Sequence, residues 1–527
     1  MSAEVKTVKL TIEGRAVEVA AGTSILEAAK SVGVLIPHYC YHPGLPVAGV
    51  CRMCLVEVEK APKLAAACAT SVADGQVVHV HSEKSVDARR GVLEMLLINH
   101  PLDCPICDQA GECELQDYTY QEGRAEGRYR EPKRFNPVED FGGDVVYVPN
   151  RCILCTRCVR FMDTVAQEPV LNVSERGDRA LIGKFEGEDL THPWAGNVID
   201  LCPVGALLSK DSLNKVRAWE VDRSASVCPN CTQGCNMIVE TRDNQVVRLR
   251  PRPNDDVNKY FMCDYGRLNY RWMNRRDRVD VPLVRRGATL AAADWEIATR
   301  AAADLLAGKR TFVLASPMLS NEALFLLSRL VRKTGGLGAF RVARGLEAPL
   351  PGVEGLALRA ERAANVRGAE LFGFRESDAP LHGLTTGDVL VVADEELEGA
   401  DATAASRAGA IVVIGTTLPS WAQHAAAVVL PITNFTEQDG TFTNVKGRVQ
   451  RFMQARAATG LARPGFWVIG DLLAAMGEGT GFFTAAEAFA ALAAEHASFA
   501  GMAYDMLALK GALVAAERPT VALGAGV

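Results

Sequence analysis

Hydrophobic and polar positions alternate through the first 80 residues in a way that predicts a small mixed α/β module. Residues 5–19 alternate around a turn at Gly14, which is typical of a β-hairpin. Ser24 and Glu27 form a capping-box pattern, so we expect a helix over 25–32. Two further short strands are expected at 55–58 and 76–80. These elements together predict a β-grasp module wrapped by a cysteine-bearing loop.

The pattern changes twice along the rest of the chain. A helix with one apolar side is expected over 85–99, and the polar stretch 121–144 is expected to be a loop. Beyond about residue 280, Ala-rich helical stretches alternate with short β runs at 311–315, 389–393 and 411–414. Such alternation predicts an α/β layer domain. The Ala-rich last 25 or so residues are expected to form a poorly ordered tail.

Composition narrows the class of protein. The chain has 527 residues, enough for several domains with sizeable cores, and 48% of them are hydrophobic. No apolar run reaches the roughly 18 residues of a membrane-spanning helix, and the start lacks a secretory signal. We therefore expect a soluble, intracellular protein. The net charge of −6 gives no reason to expect nucleic-acid binding.

The cysteines carry the chemistry. There are 15, the last is Cys263, and they stand in tight clusters at gaps of two and three residues. Disulfides are typical of small secreted domains, whereas clustered cysteines in an intracellular chain indicate metal ligation. We group them into four sets, named in chain order.

The first set has the spacing Cys-x10-Cys-x2-Cys-x13-Cys and consists of Cys40, Cys51, Cys54 and Cys68. Four thiolates with one close pair suit a 2Fe–2S cluster, which plant-type ferredoxins hold with a related but different spacing. Gly49 allows the loop to turn tightly before Cys51. The alternative is a structural zinc site with four cysteine ligands.

The second set contains only three cysteines and needs a fourth ligand. Its members are Cys104, Cys107, Cys113 and, as the nearest candidate, His100. The spacing alone leaves other choices open, because a histidine at a helix end is common without any metal. Asp103 and Asp108 are rival ligands.

The third set begins like a bacterial ferredoxin but is completed from a distance. Met162 stands where the Cys-Pro cysteine of that run is expected, and Cys202-Pro203 supplies it instead. The set therefore consists of Cys152, Cys155, Cys158 and Cys202. Only one complete set is present, so we expect a single 4Fe–4S cluster.

The fourth set consists of Cys228, Cys231, Cys235 and Cys263. We expect another 4Fe–4S cluster here, although zinc ribbons use similar cysteine pairs. All 15 cysteines fall into the four sets. None is left for catalysis or for a further metal.

The order of these sets resembles a known family, the large iron–sulfur subunits (G subunits) of respiratory complex I, NADH:quinone oxidoreductase. The resemblance runs from residue 5 to about 280 and continues more weakly at 356–368 and 437–450. It implies an α/β and α+β multidomain chain: a β-grasp 2Fe–2S ferredoxin-like domain, ferredoxin-like 4Fe–4S modules and a shortened, inactive molybdopterin-oxidoreductase-like α/β domain.

The resemblance also implies domain boundaries. The expected domains are a 2Fe–2S domain (1–82), a segment with one histidine and three cysteine ligands (83–122), a ferredoxin-like domain (123–220), a molybdopterin-type 4Fe–4S domain (221–279), the inactive α/β domain (280–480) and a helical, partly disordered tail (481–527).

The implied role is electron relay within an oxidoreductase complex. Electrons from NADH would enter through a flavoprotein partner, pass along the first, third and second sets and continue through downstream iron–sulfur subunits to quinone. His100 would then be a ligand, and the fourth set would be structural and off the path. The complex would lie on the cytoplasmic face of the inner (plasma) membrane, with no membrane span in this chain.

The sequence favours a relay subunit without a substrate site of its own. Gly335-Gly-Leu-Gly338 fails the dinucleotide-binding spacing and no P-loop is present, so no NADH, quinone or flavin site and no catalytic residue are expected. Tyr265 stands where molybdopterin enzymes usually have lysine, and no later cysteine could bind molybdenum. One 2Fe–2S and three 4Fe–4S clusters, with no molybdenum cofactor, are expected.

Other classes of protein share parts of this pattern. The iron–sulfur subunit of an NAD-reducing hydrogenase or of an NAD-linked formate dehydrogenase has similar N-terminal modules. A non-redox zinc scaffold is the alternative from a different class.

Overall fold

A computed structural model of the chain describes residues 6–479 and 481–515, which form two compact units. The first unit contains residues 6–221 together with Leu350–Glu354. The second contains Asp222–Pro349 and residues 355–515. No helix within these described ranges is long and apolar enough to cross a membrane.

The first unit begins with the predicted β-grasp module. Its elements are β1 (Thr7–Ile12), β2 (Arg15–Ala20), α1 (Ile25–Ser31), β3 (Leu55–Val58), β4 (Ala65–Ala66) and β5 (Val77–His79). The sheet has the order β2-β1-β5-β3-β4, with β1 and β5 parallel and the other pairs antiparallel. Ser24 caps α1 by accepting a hydrogen bond from the backbone N–H of Glu27 at 3.2 Å, as predicted.

The remainder of the first unit is built from short elements between cysteine-bearing loops. They are α2 (Glu83–Leu97), α3 (Glu114–Glu122), β6 (Glu139–Gly142), β7 (Val145–Tyr147), α4 (Arg157–Arg160), β8 (Leu171–Ser174), β9 (Leu181–Lys184), α5 (Asn197–Leu201) and β10 (Leu207–Ser209). Strands β10, β7 and β6 form one antiparallel sheet, and β8 and β9 form a hairpin.

The prediction of a loop over residues 121–144 is wrong at both ends. Helix α3 continues to Glu122, and β6 occupies Glu139–Gly142. The strand forms because Gly142 and Gly143, both at positive φ, turn the chain back onto β7 and bury Phe141 completely. The local sequence is polar, and this pairing rather than local hydrophobicity decides the strand.

The second unit opens with a small antiparallel sheet that carries the fourth set. Its strands are β11 (Asp222–Val227), β12 (Asn236–Arg242) and β13 (Gln245–Pro251), followed by α6 (Asp264–Leu268). Cys228 follows β11 directly, Cys235 precedes β12, and Cys263 is the N-cap of α6.

The rest of the second unit is an α/β layer structure, as predicted. Its elements are β14 (Leu283–Arg286), β15 (Thr289–Ala292), α7 (Trp295–Leu306), β16 (Thr311–Ala315), α8 (Asn321–Lys333), β17 (Leu337–Phe340), β18 (Ala348–Pro349), β19 (Ala357–Leu358), α9 (Val366–Leu371), β20 (Arg375–Glu376), β21 (Val389–Ala393), α10 (Gly399–Ala405), β22 (Ala410–Gly415), β23 (Val428–Pro431), β24 (Gly440–Thr443), β25 (Arg448–Phe452), α11 (Gly465–Ala475), α12 (Ala485–Glu495) and β26 (Ala512–Leu513).

Eight of these strands form one sheet with the order β15-β14-β23-β22-β21-β16-β17-β20. The strands from β23 to β20 are parallel, and β14 and β15 add an antiparallel edge. The central strands are buried on both faces, as in parallel sheets covered by helices. Within the predicted tail, α12 and β26 are ordered elements, and residues 516–527 lie outside the described residues.

Candidate metal centres

The first set lies on the long loop between α1 and β3 and on the turn after β4. Cys40, Cys54 and Cys68 are buried and Cys51 is half-buried. The loop turns at Gly49 and Arg52, which both have positive φ. The backbone N–H of Cys40 donates to Cys51 Sγ at 3.4 Å. The structure therefore brings this set together within one module.

The four thiols of the first set act on one another. Hydrogen bonds from Cys51 and Cys68 hold the pKa of Cys40 far below its usual value. The bond to Cys40 raises the pKa of Cys51, and the bonds to Cys40 and Cys54 raise that of Cys68. The Cys68 hydrogen bond lowers the pKa of Cys54 to about 7. Thiols this close fit a group that replaces their protons.

The second set lies between α2 and α3. A 3-10 turn spans Cys104–Ile106, and Cys113 is the N-cap of α3. His100, Cys104 and Cys113 line one cavity, while Cys107 Sγ faces Gly205, where any side chain would collide with the sulfur. Burial raises the pKa of Cys113 to about 11 and also raises that of Cys107.

His100 has the properties of a neutral ligand. Its Nδ1 is buried and makes no hydrogen bond within the described ranges. Burial, followed by the charges of Lys133 and Arg151, lowers the pKa of His100 to about 4. The ring is therefore uncharged near neutral pH, with a nitrogen lone pair available to a metal.

The two rival carboxylates are engaged elsewhere. Asp103 forms an ion pair with Arg151 at 2.9 Å. Asp108 accepts a hydrogen bond from the backbone N–H of Asn214 at 2.7 Å and lies 4.0 Å from Arg217 Nη1. Of the three candidates, His100 is the one whose polar atom lacks a protein partner among the described residues.

The third set is assembled from two distant segments. Cys152, Cys155, Cys158 and Cys202 line one small cavity together with Tyr147 and Arg157. The first three cysteines lie on a loop that Leu154 and Thr156, both at positive φ, bend around that cavity. Burial raises the pKa of Cys152 and Cys202 to about 11 and that of Cys155 to about 12.

The fourth set is buried in the second unit. The backbone N–H of Gly266 donates to Cys263 Sγ at 3.3 Å. A Cβ added at Gly266 would lie 3.2 Å from Cys228 Sγ and 3.4 Å from Cys263 Sγ, so both sulfurs approach the same glycine. Burial raises the pKa of Cys228 to about 12 and that of Cys235 well above its usual value.

Sequence reasoning missed several residues that hold these loops. Arg151 forms the ion pair with Asp103, Gly205 packs against Cys107, and Arg157 and Arg160 contact the first set's loop. The only local indication was the placing of three arginines beside the cysteines of the third set.

Five family models match consecutive parts of the chain. They are described as 2Fe-2S iron-sulfur cluster binding domain (5–83), NADH-ubiquinone oxidoreductase-G iron-sulfur binding region (89–128), NADH-quinone oxidoreductase subunit 3, ferredoxin-like domain (142–208), Molybdopterin oxidoreductase Fe4S4 domain (222–275) and Molybdopterin oxidoreductase (385–475). The predicted fold class is confirmed.

Similar proteins are named as subunits of NADH-quinone or NADH-ubiquinone oxidoreductase. The NADH-quinone oxidoreductase G subunit of Rickettsia bellii is 39% identical over 331 residues, which is 62% of this chain and 48% of that protein. The mitochondrial NADH-ubiquinone oxidoreductase 78 kDa subunit of Candida albicans is 44% identical over 335 residues, 62% of this chain and 46% of that protein.

The chain spans about half the length of these curated relatives. Among solved structures, a chain of an NAD+-reducing [NiFe]-hydrogenase is 29% identical with a TM-score of 0.35, covering 40% of this chain and 90% of that chain.

Proposed function

We propose that this chain, a homologue of the large iron–sulfur subunit of NADH-quinone oxidoreductase, relays electrons within such a complex from a flavoprotein partner toward quinone. One observation carries the proposal: every cysteine of the chain lies in one of four candidate ligand sets, and the three sets of the first unit stand on adjoining loops. The chain contributes to an oxidoreductase and binds neither NADH nor quinone itself.

The four sets would hold different groups. The first set would hold a 2Fe–2S cluster, and the second, third and fourth would each hold a 4Fe–4S cluster, with His100 as the one non-thiolate ligand. Such clusters supply one-electron redox chemistry when bound. Electrons would follow the first, third and second sets, and the fourth would be structural.

The residues present do not favour a molybdenum cofactor. Tyr265 replaces the lysine that molybdopterin enzymes usually place here, and the guanidinium of Arg362 stacks over its ring at 4.8 Å. No cysteine follows Cys263 that could bind the metal. The domain at 280–480 would then serve as scaffold and docking surface.

The protein's own contribution is to bury the thiols and fix the loops. Burial raises the pKa of the third-set cysteines, so these thiols remain protonated at neutral pH without metal. Cluster binding would displace these protons, and the loops would then fold together with the clusters that they hold.

The proposed setting follows from the same relatives. The chain would assemble with the NADH- and FMN-binding flavoprotein and with downstream iron–sulfur subunits, on the cytoplasmic face of the inner membrane. Its domains would follow the boundaries 1–82, 83–122, 123–220, 221–279, 280–480 and 481–527.

Iron, acid-labile sulfide and zinc analysis of the purified full-length chain, separated from its partner subunits, tests the proposal. We expect about 14 iron and as many acid-labile sulfides per chain, against about four zinc for a scaffold. The Cys155→Ser variant should lose about four iron, whereas Ser406→Ala, at a position in the second unit outside every set, should keep the full content. A chain with zinc in place of iron rejects the proposal.

Co-purification separates the redox alternatives. We expect a flavoprotein and quinone-reducing membrane subunits to accompany the chain. Isolation with hydrogenase or formate dehydrogenase subunits instead, at full iron content, would agree with the proposed clusters but reject the proposed complex.

A further inference from the structure

Arg160 joins the loops of the first and third sets. Its Nη2 donates to the carbonyl oxygen of Cys40 at 2.5 Å and to that of Cys155 at 3.2 Å, and its Nη1 donates to the carbonyl of Pro46. Cys40 and Arg160 are 120 residues apart in the sequence. One guanidinium group therefore connects the backbones of two cysteines that belong to different sets.

Arg157, one turn earlier on α4, fastens the same region. Its Nη2 donates to the carbonyl of Tyr41 at 2.8 Å, and its Nη1 donates to the carbonyl of Leu201, beside Cys202, at 3.2 Å. Its charge has a carboxylate partner, because Glu114 lies 3.4 Å away.

Arg160 differs in its charge balance. All its hydrogen bonds are to the carbonyl oxygens already named and to Thr156, and across the described residues it has no carboxylate partner. A planar guanidinium with several donors suits this bridging of carbonyls, which a lysine ammonium cannot reproduce. Arg160 therefore brings an unneutralised positive charge beside both sets.

We propose that Arg160 is a positioning residue that locks the Cys40 loop onto the Cys155 loop and raises the reduction potentials of the groups held by the first and third sets. The proposal rests on the proposed function. A reduced cluster carries one more negative charge than an oxidised one, so a nearby cation stabilises the reduced form. The same bonds keep the two loops at a fixed separation.

Redox titration followed by EPR, on the intact complex, measures this effect. Arg160→Gln should favour the oxidised form of both groups by about tenfold, a fall of about 59 mV for a one-electron couple. Arg160→Lys keeps the positive charge but loses the guanidinium that bridges the two loops. We therefore expect near-unchanged potentials, with a weaker spin–spin interaction between the two centres because their separation is no longer fixed. Arg176→Gln removes an exposed arginine of the same unit and should change neither.

The outcomes separate this inference from the proposed function. Wild-type complex without iron would reject both. Full iron content in Arg160→Gln, with both potentials as in the wild type, would reject the role of Arg160 alone. If Arg160→Gln loses iron from either set, Arg160→Lys decides: unchanged potentials with weaker spin–spin interaction support the inference, and shifted potentials or an unchanged interaction reject it.

Discussion

A histidine among thiolates changes the charge of the centre that it binds. Each cysteine ligand contributes an anionic thiolate, whereas a neutral imidazole contributes none. The burial of His100, together with the lowering of its pKa to about 4, keeps the ring uncharged at neutral pH. A group held by the second set would therefore carry one negative charge fewer than one held by four thiolates, which favours its reduced form.

Replacing this histidine with cysteine tests that argument. His100→Cys should lower the midpoint potential of the second-set centre and change its EPR signal, because the added thiolate disfavours the reduced form. His424→Cys, at an exposed position in the second unit, is the matched control and should leave all centres unchanged. An unchanged potential and spectrum in His100→Cys would count against ligation by His100.

The candidate ligands are recognisable from their spacing in the sequence, whereas the residues that arrange their loops are not. Cysteine gaps of two and three residues are visible along the chain, and the remote Cys202 was recognisable from its proline. The contact of Arg157 with Tyr41 spans 116 residues, and Gly205 faces a sulfur from another set. Such contacts depend on tertiary packing and leave no local pattern.

At the scale of elements, helix α8 has a buried carboxyl group in its first turn. Ser320 caps the helix by accepting from the Ala323 N–H at 3.2 Å, and Glu322 in the first turn is fully buried. Thr441 donates to both carboxyl oxygens, through its N–H at 3.1 Å and its hydroxyl at 2.8 Å. Burial nevertheless dominates and raises the pKa of Glu322 to about 7.

This carboxyl group predicts a pH dependence of stability. Between the unfolded value of 4.5 and about 7, the folded chain retains a proton that the unfolded chain loses, so stability falls as pH rises through that window. The full effect is on the order of 3 kcal/mol. Glu322→Gln should flatten the dependence, and Glu296→Gln, an exposed first-turn position of α7, should not.

Urea titrations at pH 5 and pH 8, read by pulse proteolysis of the second unit, measure the difference. If the free energy of unfolding changes equally between pH 5 and pH 8 in the wild type and in Glu322→Gln, this carboxyl group does not titrate in the window.

Elements were predictable where their local pattern and their packing agree. The strand over Leu55–Val58 and the helix starting at Ile25 lie where alternation and capping placed them. Strand β6 was missed because its polar residues gain order from pairing with β7, which no local pattern indicates.

The whole molecule combines two kinds of stabilisation. The resemblance to the large iron–sulfur subunits of complex I is confirmed by the named relatives. In the first unit, the loop from residue 32 to residue 54, which carries three cysteines of the first set, contains no helix or strand and lacks the regular backbone hydrogen bonds of those elements. The second unit has a continuous apolar core around the eight-stranded sheet, from Val313 and Leu326 to Val391 and Phe489.

Removing the clusters should therefore affect the two halves unequally. In cluster-free protein we expect residues 35–265 to lose order, because ligand loops rarely hold their shape without metal. Residues 300–480 should keep their order, because their core needs no metal.

Limited proteolysis with mass-spectrometric mapping, before and after chelation of the iron, measures protection in both ranges. New cleavage sites should concentrate between Cys40 and Cys263, and reconstitution with iron and sulfide should remove them. The mock-treated complex, carried through the same steps without chelator, is the control. Equal protection of both ranges after complete iron loss would mean that packing alone fixes the ligand loops.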